Sequence, residues 1–215
     1  PYAKAFFEYF LRNPICQDMG RKIKIAFSSS AKDDAITFTH DIGFIPVVQN
    51  GTRGFKMLVG GGIGAQPRVA DVIQEFISVE EFIPFTEAVV RVFDQYGERN
   101  RRNKARMKFL IKEQGFEAFN NRVQDVYKSI SPKTIEIFPT ENTTVNTANF
   151  DADKAVDVHF AKWKENNVFS QKQDGFVAVG IAIDRGDISS DKARALAEVV
   201  DSFCGDDLRF TIGQS

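Results

Sequence analysis

Four groups of residues in this chain have the types and spacing to do chemistry. The first is Arg21-Lys22-Ile23-Lys24. In an extended segment successive side chains alternate between faces, so Lys22 and Lys24 share one face about 7 Å apart. Two ammonium groups that close suit a small dianion or a bound carboxylate. The competing reading is a solvated sheet face, the commoner fate of lysine. The second group is Gly60-Gly61-Gly62-Ile63-Gly64. Such a run after a strand can cradle phosphates or a cofactor with backbone N–H groups, or can simply be a tight strand exit. As a dinucleotide fingerprint it is poor, because Pro67 interrupts the expected helix start.

The third group is a basic run, Arg99, Arg101, Arg102, Lys104, Arg106, Lys108 and Lys112. Lys104, Lys108 and Lys112 are spaced i, i+4, i+8 and are expected to share a helix face. A phosphate or carboxylate partner is one reading and a solvated face the other. Nucleic acid is disfavoured by the balanced charge and by the lack of interleaved aromatics between Gly97 and Met107. The fourth group is Gln171-Lys172-Gln173-Asp174-Gly175 with Arg209 and Thr211. Polar residues from these separate segments could converge on one ligand. His40 and His159 are isolated, which argues against a metal site or a triad. Asp41 lies beside His40 and is suggestive at most.

These residues need elements to position them. Ala3, Phe6, Phe7, Phe10 and Leu11 have the spacing of one buried helix stripe, stopped at Asn13-Pro14. Ile23, Ile25 and Phe27 alternate with Lys22, Lys24 and Ala26 as a strand with one apolar face. Phe44–Gln49 and Gly54–Val59 read as strands around Asn50-Gly51, a hairpin signal. Ser78-Val79-Glu80-Glu81 fits a capping box, followed by a helix with the stripe Phe82, Phe85, Val89, Val92, Phe93 and Tyr96. A further helix carries Phe116, Phe119, Val123 and Val126. Residues 132–153 are rich in Pro, Thr and Asn and read as a linker. Beyond it come a helical patch near Trp163, a strand Phe176–Ile183, a helix capped by Ser190 with the stripe Ala193, Leu196, Ala197, Val200 and Phe203, and a strand through Leu208, Phe210 and Ile212. Strand–helix–strand of this length is a βαβ unit, as in ferredoxin-like folds. The expected class is α+β, with mixed sheets and packed helices in residues 1–131 and a ferredoxin-like half-domain in 154–215.

The bulk numbers exclude several functions. With 28 basic and 29 acidic residues the net charge is −1, so there is no bulk attraction to nucleic acid or acidic membranes. No apolar run approaches the ~20 residues of a membrane helix, and no signal peptide is visible. The two cysteines, Cys16 and Cys204, have no metal-ligand spacing and suit a reducing cytosol. Phe is over-used, at 21 of 215 residues. The start at Pro1 without Met is expected of a processed or excised piece.

Taken in order, the segments resemble the siroheme-dependent nitrite/sulfite reductase family. Pro1 to Arg12 is similar to the helix before the family's R-K-x-K strand, and Arg21–Phe27 (RKIKIAF) resembles that strand. His40–Phe44 and Gly54–Gly62 (GFKMLVGGG) resemble its hairpin and glycine turn, and Glu87–Phe109 its long helical signature. Gln171-Lys172-Gln173 and Leu208–Thr211 with Gln214 resemble the opening of the second half of the pseudo-twofold enzyme.

The resemblance implies six-electron reduction of sulfite to sulfide or nitrite to ammonia at siroheme bridged to a 4Fe–4S cluster. It implies Lys22 and Lys24 as substrate-anion and proton-supplying residues. Arg21, Lys172, Arg209 and Thr211 would meet the siroheme carboxylates, with Gly60, Gly61 and Gly62 allowing the backbone to approach the macrocycle. The implied partners are the oxyanion and an electron donor, ferredoxin or a flavoprotein, in a cytoplasmic enzyme.

The departures are specific. The family's C-x₅-C…C-x₃-C cluster ligands would follow the region matching Gln214, and further arginines would precede Pro1. Glu98 and Ser215 stand where Asn is common. The segment alone is therefore expected to bind no cluster and to be inactive. A stand-alone tetrapyrrole- or anion-binding module and a nucleic-acid module on Arg99–Lys112 are the alternatives.

Overall fold

A computed structural model of the chain describes residues 1–15, 17–131, 137, 158–171, 175–203 and 208. They fall into two compact units, one within residues 1–140 and one within 141–210.

The first unit begins with α1 (Tyr2–Phe10), followed by β1 (Ile25–Phe27), β2 (Ile42–Gln49), β3 (Thr52–Val59) and β4 (Asp71–Ser78). The four strands form one sheet in the order β1-β2-β3-β4. The β1–β2 pair is parallel, and the other two pairs are antiparallel. Three helices follow: α2 (Phe82–Tyr96), α3 (Met107–Gln114) and α4 (Phe116–Lys128).

The β2–β3 hairpin forms as the sequence predicts. Gln49 pairs with Thr52, and Asn50 and Gly51 both take positive φ, 50° and 80°, the backbone that a two-residue primed turn requires. Pro46 sits in β2 beyond the stretch that pairs with β1, so its missing N–H faces an edge and breaks no ladder bond.

The abundant Phe residues build the core. Phe27 and Phe44 are register partners and stack with centroids 4.6 Å apart. Phe82 of α2 meets Phe44 edge-on at 5.7 Å and Phe55 at 5.2 Å. Phe6 of α1 closes the same cluster against Phe27 and Phe44. Such offset and edge-to-face pairs add roughly 0.5–1.5 kcal/mol each beyond area burial. Helix α2 is buried almost all round, because it lies in one core cluster with the sheet on one side and residues of α3 and α4 on the other. The charge on buried Glu87 is met by Tyr9 and by a two-pronged pair from Arg91.

Several expectations are corrected. The α1 stripe is rotated: Tyr2, Ala5, Phe6, Tyr9 and Phe10 face the core, while Ala3, Phe7 (60% exposed) and Leu11 face out. Strand β4 is absent from the sequence reading. Two register shifts against β3 insert extra residues, so its buried Ile73 and Ile77 lose the period-two signature. Helix α2 starts at Phe82 with Glu81 as its N-cap, three residues beyond the expected cap. The hydroxyl of Ser78 donates to the Glu81 carboxylate at 2.9 Å where a capping box would bond backbone N–H groups.

The second unit contains α5 (Val158–Asn167), β5 (Val168–Ser170), β6 (Val177–Val179) and α6 (Ser190–Phe203). β5 and β6 form an antiparallel pair. β6 is the central part of the strand expected over Phe176–Ile183. At the start of α6 the cap is Ser189, whose side chain accepts from the Lys192 N–H at 3.4 Å, one residue before the expected Ser190. The final strand through Phe210 and Ile212 lies outside the described residues, apart from Leu208.

Candidate active site

Residues 21–24 are the extended lead-in to β1, which itself begins at Ile25. Exposure alternates along it. Lys22 and Lys24 are exposed, whereas Ile23, Ile25 and Phe27 pack against the core cluster. Apolar burial on one side therefore turns both ammonium groups to the other. Among the described residues no carboxylate pairs with either lysine. Arg21 has the opposite parity and is half-buried; its guanidinium donates to the Arg102 carbonyl at 3.4 Å.

The lead-in is fixed from beneath by Asp41, a residue that the sequence reading passed over. The Asp41 carboxylate accepts the Lys24 backbone N–H at 2.9 Å. It also accepts two bonds from Arg106, Nε at 3.2 Å and a terminal nitrogen at 2.8 Å. The Lys24 carbonyl in turn accepts the Ile42 N–H at 3.2 Å, extending the β1–β2 ladder by one bond. Nearby, Arg99 donates to the Asp18 carbonyl. Gly20 lies so close to the 98–99 backbone that a Cβ there would sit 2.6 Å from the Glu98 carbonyl oxygen.

The glycine turn is buried and committed to the chain itself. The N–H groups of Gly60, Gly61 and Gly62 donate to the carbonyls of Asp41, His40 and Arg68 at 2.8, 2.9 and 2.9 Å. They are not spare donors for a phosphate. What the glycines permit is close approach. A Cβ at Gly61 would fall 2.3 Å from the Phe38 carbonyl oxygen, and one at Gly62 would lie 3.1 Å from both the Arg106 guanidinium and the Lys108 stem. Arg68 ties the turn down by donating to the Gly60 carbonyl at 3.0 Å and pairing with Asp71.

The basic run does not form one helical face. Arg102–Lys104 is a single 3₁₀ turn, and α3 starts only at Met107. Lys108 is 4% exposed, and its Nζ donates to the carbonyls of Gln66 at 2.6 Å and Ile63 at 3.3 Å. Burial, and next the neighbouring Arg106, hold its ammonium below the ordinary lysine value, against an opposing pull from Asp41. Arg106 and Lys108 are thus turned inward, where the sequence reading allowed only a ligand-facing or solvated run.

The structure therefore brings Lys24, Asp41, Arg106, the glycine turn and Lys108 into one constellation, with Lys22 on the same face as Lys24. Arg21 joins it only through the 98–104 segment. Lys172, Arg209 and Thr211 lie outside the described residues. The signal for Asp41 was present in the sequence as a lone acid opening an apolar strand. Its partner Arg106 is 65 positions away, and no local pattern links the two.

Comparison with known proteins agrees with this geometry. Residues 1–130 match the nitrite and sulphite reductase 4Fe-4S domain, and residues 169–215 match the nitrite/sulfite reductase ferredoxin-like half domain. The chain is 29% identical over 177 residues to the chloroplastic ferredoxin–nitrite reductase of Spinacia oleracea, covering 82% of this chain and 27% of that protein. It is 38% identical over 112 residues to the NADPH sulfite reductase hemoprotein beta-component of Shewanella loihica, covering 48% and 20%. The structure of the Mycobacterium tuberculosis NirA protein matches with a TM-score of 0.67 at 26% identity, over 94% of this chain and 33% of that one. The chain thus spans between a fifth and a third of the length of these relatives. Its two family segments, in order and on either side of residues 131–168, show that the chain belongs to the nitrite and sulphite reductase family.

Proposed function

We propose that this chain is the central part of a siroheme and 4Fe–4S enzyme that reduces a small oxyanion by six electrons, sulfite to sulfide or nitrite to ammonia. The observation that carries the reading is the exposed Lys22/Lys24 face, without a carboxylate partner among the described residues and held from beneath by the Asp41 carboxylate at the Lys24 N–H. Two fixed cations without counter-charge are what a small anion needs.

The donor set fits siroheme. Its eight carboxylates call for many cationic donors, and Arg21, Lys22, Lys24 and Arg106 lie in this region, with Lys172, Arg209 and Thr211 later in the sequence. Gly60, Gly61 and Gly62 serve by leaving space for close approach, since their N–H groups are already bonded. The two cysteines of the chain fall short of the four that a 4Fe–4S cluster takes, so the cluster ligands come from elsewhere in the enzyme. When bound, siroheme and the cluster supply the electrons. The part of this chain is to draw the anion in, offset its charge at Lys22 and Lys24, and deliver protons from their ammonium groups to oxygen atoms as they depart.

Residues 1–131 act as the siroheme-binding domain in this proposal, 132–153 as a linker and 154–215 as the half-domain of the second repeat. The donor is a ferredoxin or a flavoprotein, and the setting is a reducing, cytoplasmic one. Among the described residues no helix is long and apolar enough to cross a membrane. The inward Arg106 and Lys108 remove two cations from any nucleic-acid surface.

The test is purification of the full-length protein, with siroheme, iron and sulfide assayed beside reduction of sulfite and nitrite by an artificial donor. Stoichiometric siroheme with turnover of at least one anion is expected. Siroheme-free protein, or loaded protein inert to both anions, contradicts the reading. The 215-residue chain alone is expected to carry no cluster and to turn over neither anion.

A further inference from the structure

We propose that Asp41 is the positioning residue of the anion site: one buried carboxylate sets both the Lys22–Lys24 segment and the Arg106 guanidinium. The inference rests on the reading of Lys22 and Lys24 as anion ligands. Three stretches of chain meet at Asp41. Its Oδ2 accepts the Lys24 N–H at 2.9 Å and an Arg106 nitrogen at 2.8 Å, and its Oδ1 accepts Arg106 Nε at 3.2 Å. Its backbone carbonyl accepts the Gly60 N–H at 2.8 Å. Asp41 is 1% exposed.

An ion pair this deep is a poor source of stability, because desolvation offsets much of its attraction. Its geometry instead gives position. The three donors converge on an acceptor-only group, and an amide in the same place would turn an N–H₂ against at least one of them. Lys22 and Lys24 have no other anchor at their heads: both side chains are exposed, and neither has an ion-pair partner among the described residues. The origin from which the two ammonium groups reach is therefore set by the backbone at Lys24, and Asp41 holds that backbone. Charged sites lose function when their support shifts by even about 1 Å. Asp41 does not touch the anion; it acts through Lys24 and Arg106.

The experiment uses the full-length, siroheme-loaded enzyme with Asp41→Asn, Asp41→Glu, Lys24→Ala and the double variant Asp41→Asn/Lys24→Ala. Three quantities are read: siroheme content, nitrite and sulfite dissociation constants from the siroheme absorption, and backbone amide exchange at Lys24. Asp41→Asn is expected to keep siroheme, to speed exchange at Lys24, and to weaken anion binding ~10- to 100-fold, the usual scale for supports of an ion-binding group. Because Asp41 acts largely through Lys24, the double variant is expected to bind the anion little worse than Lys24→Ala alone. Asp41→Glu keeps the charge but moves the carboxylate, and it is expected to weaken binding with the amide still protected better than in Asp41→Asn. Unchanged affinity in Asp41→Asn, or losses that multiply in the double variant, overturn the positioning role while leaving Lys24 as a ligand. Unchanged affinity in Lys24→Ala overturns the anion-site reading and this inference with it. If neither Asp41 variant retains siroheme, Asp41 is a determinant of the fold and the proposal fails.

Discussion

The two units of the chain use the same kinds of elements to different ends. In the first, Phe44, Phe82, Phe85 and Phe119 are fully buried, and one cluster runs from α1 through the sheet into α4. In the second, α5 and α6 have no buried residue among those described, and Val177 and Val199 remain 55% and 50% exposed. Helix α6 still carries an apolar stripe and a serine at its N-terminus. The difference shows that a periodic pattern specifies an element and its face, whereas burial depends on what lies against that face. A site that needs fixed charges belongs on the first unit, where each supporting residue is packed.

Substitutions can break or sharpen this contrast. The largest effect is expected at the centre of the aromatic cluster: Phe82→Ala should cost about 3–5 kcal/mol through lost burial and a cavity, measured by denaturant unfolding of the chain. Next is Gly51→Ala, expected to cost about 1–2 kcal/mol because Gly51 stands at φ 80°, where a Cβ is strained. Smallest are Val177→Ala and Val199→Ala in the second unit, each expected within about 0.5 kcal/mol in the same chain, as for exposed sites. Losses of 2 kcal/mol or more there would erase the distinction between the units.

A pH effect also belongs to the first unit. Hydrogen bonds from Ser28 and Ser29 hold the Asp34 carboxyl at about 2, below its ordinary 3.8. A carboxyl depressed by folding adds stability that is present above pH 3.8 and is lost as pH falls towards about 2. Side-chain carboxyl NMR should place the Asp34 midpoint in that window, and Ser28→Ala should move it upward. A midpoint at the ordinary value in the parent chain would show that the hydroxyls do not hold it.

The parts of this fold that were legible in sequence are those whose cause is local. Asn50-Gly51 fixes its hairpin through two positive φ values, and Phe119 and Val123 face the core as their spacing predicts. Where apolar residues surround a helix, the pattern is ambiguous, and α1 settled with Phe7 outside because Phe6 and Phe10 meet Phe27, Phe44 and each other. Strand β4 was hidden by its register shifts. The site divides the same way. The shared exposure of Lys22 and Lys24 follows from period two. The Asp41–Arg106 pair and the inward Lys108 arise only when β2, the glycine turn and α3 come together.

The measurement closest to the central claim is reduction of sulfite and nitrite by full-length enzyme carrying Lys22→Ala or Lys24→Ala, alongside thermal melting and siroheme content. Both lysines are exposed on the face away from the core, so each truncation should change stability by no more than about 0.5 kcal/mol. Loss of one preorganised cationic donor should lower turnover by ~10²–10³, or about 2.7–4 kcal/mol of barrier. That separation, a large loss of rate in an intact, siroheme-loaded protein, is the expected result. Near-parental turnover in both variants with full siroheme would contradict the account and reduce the lysine pair to a solvated face.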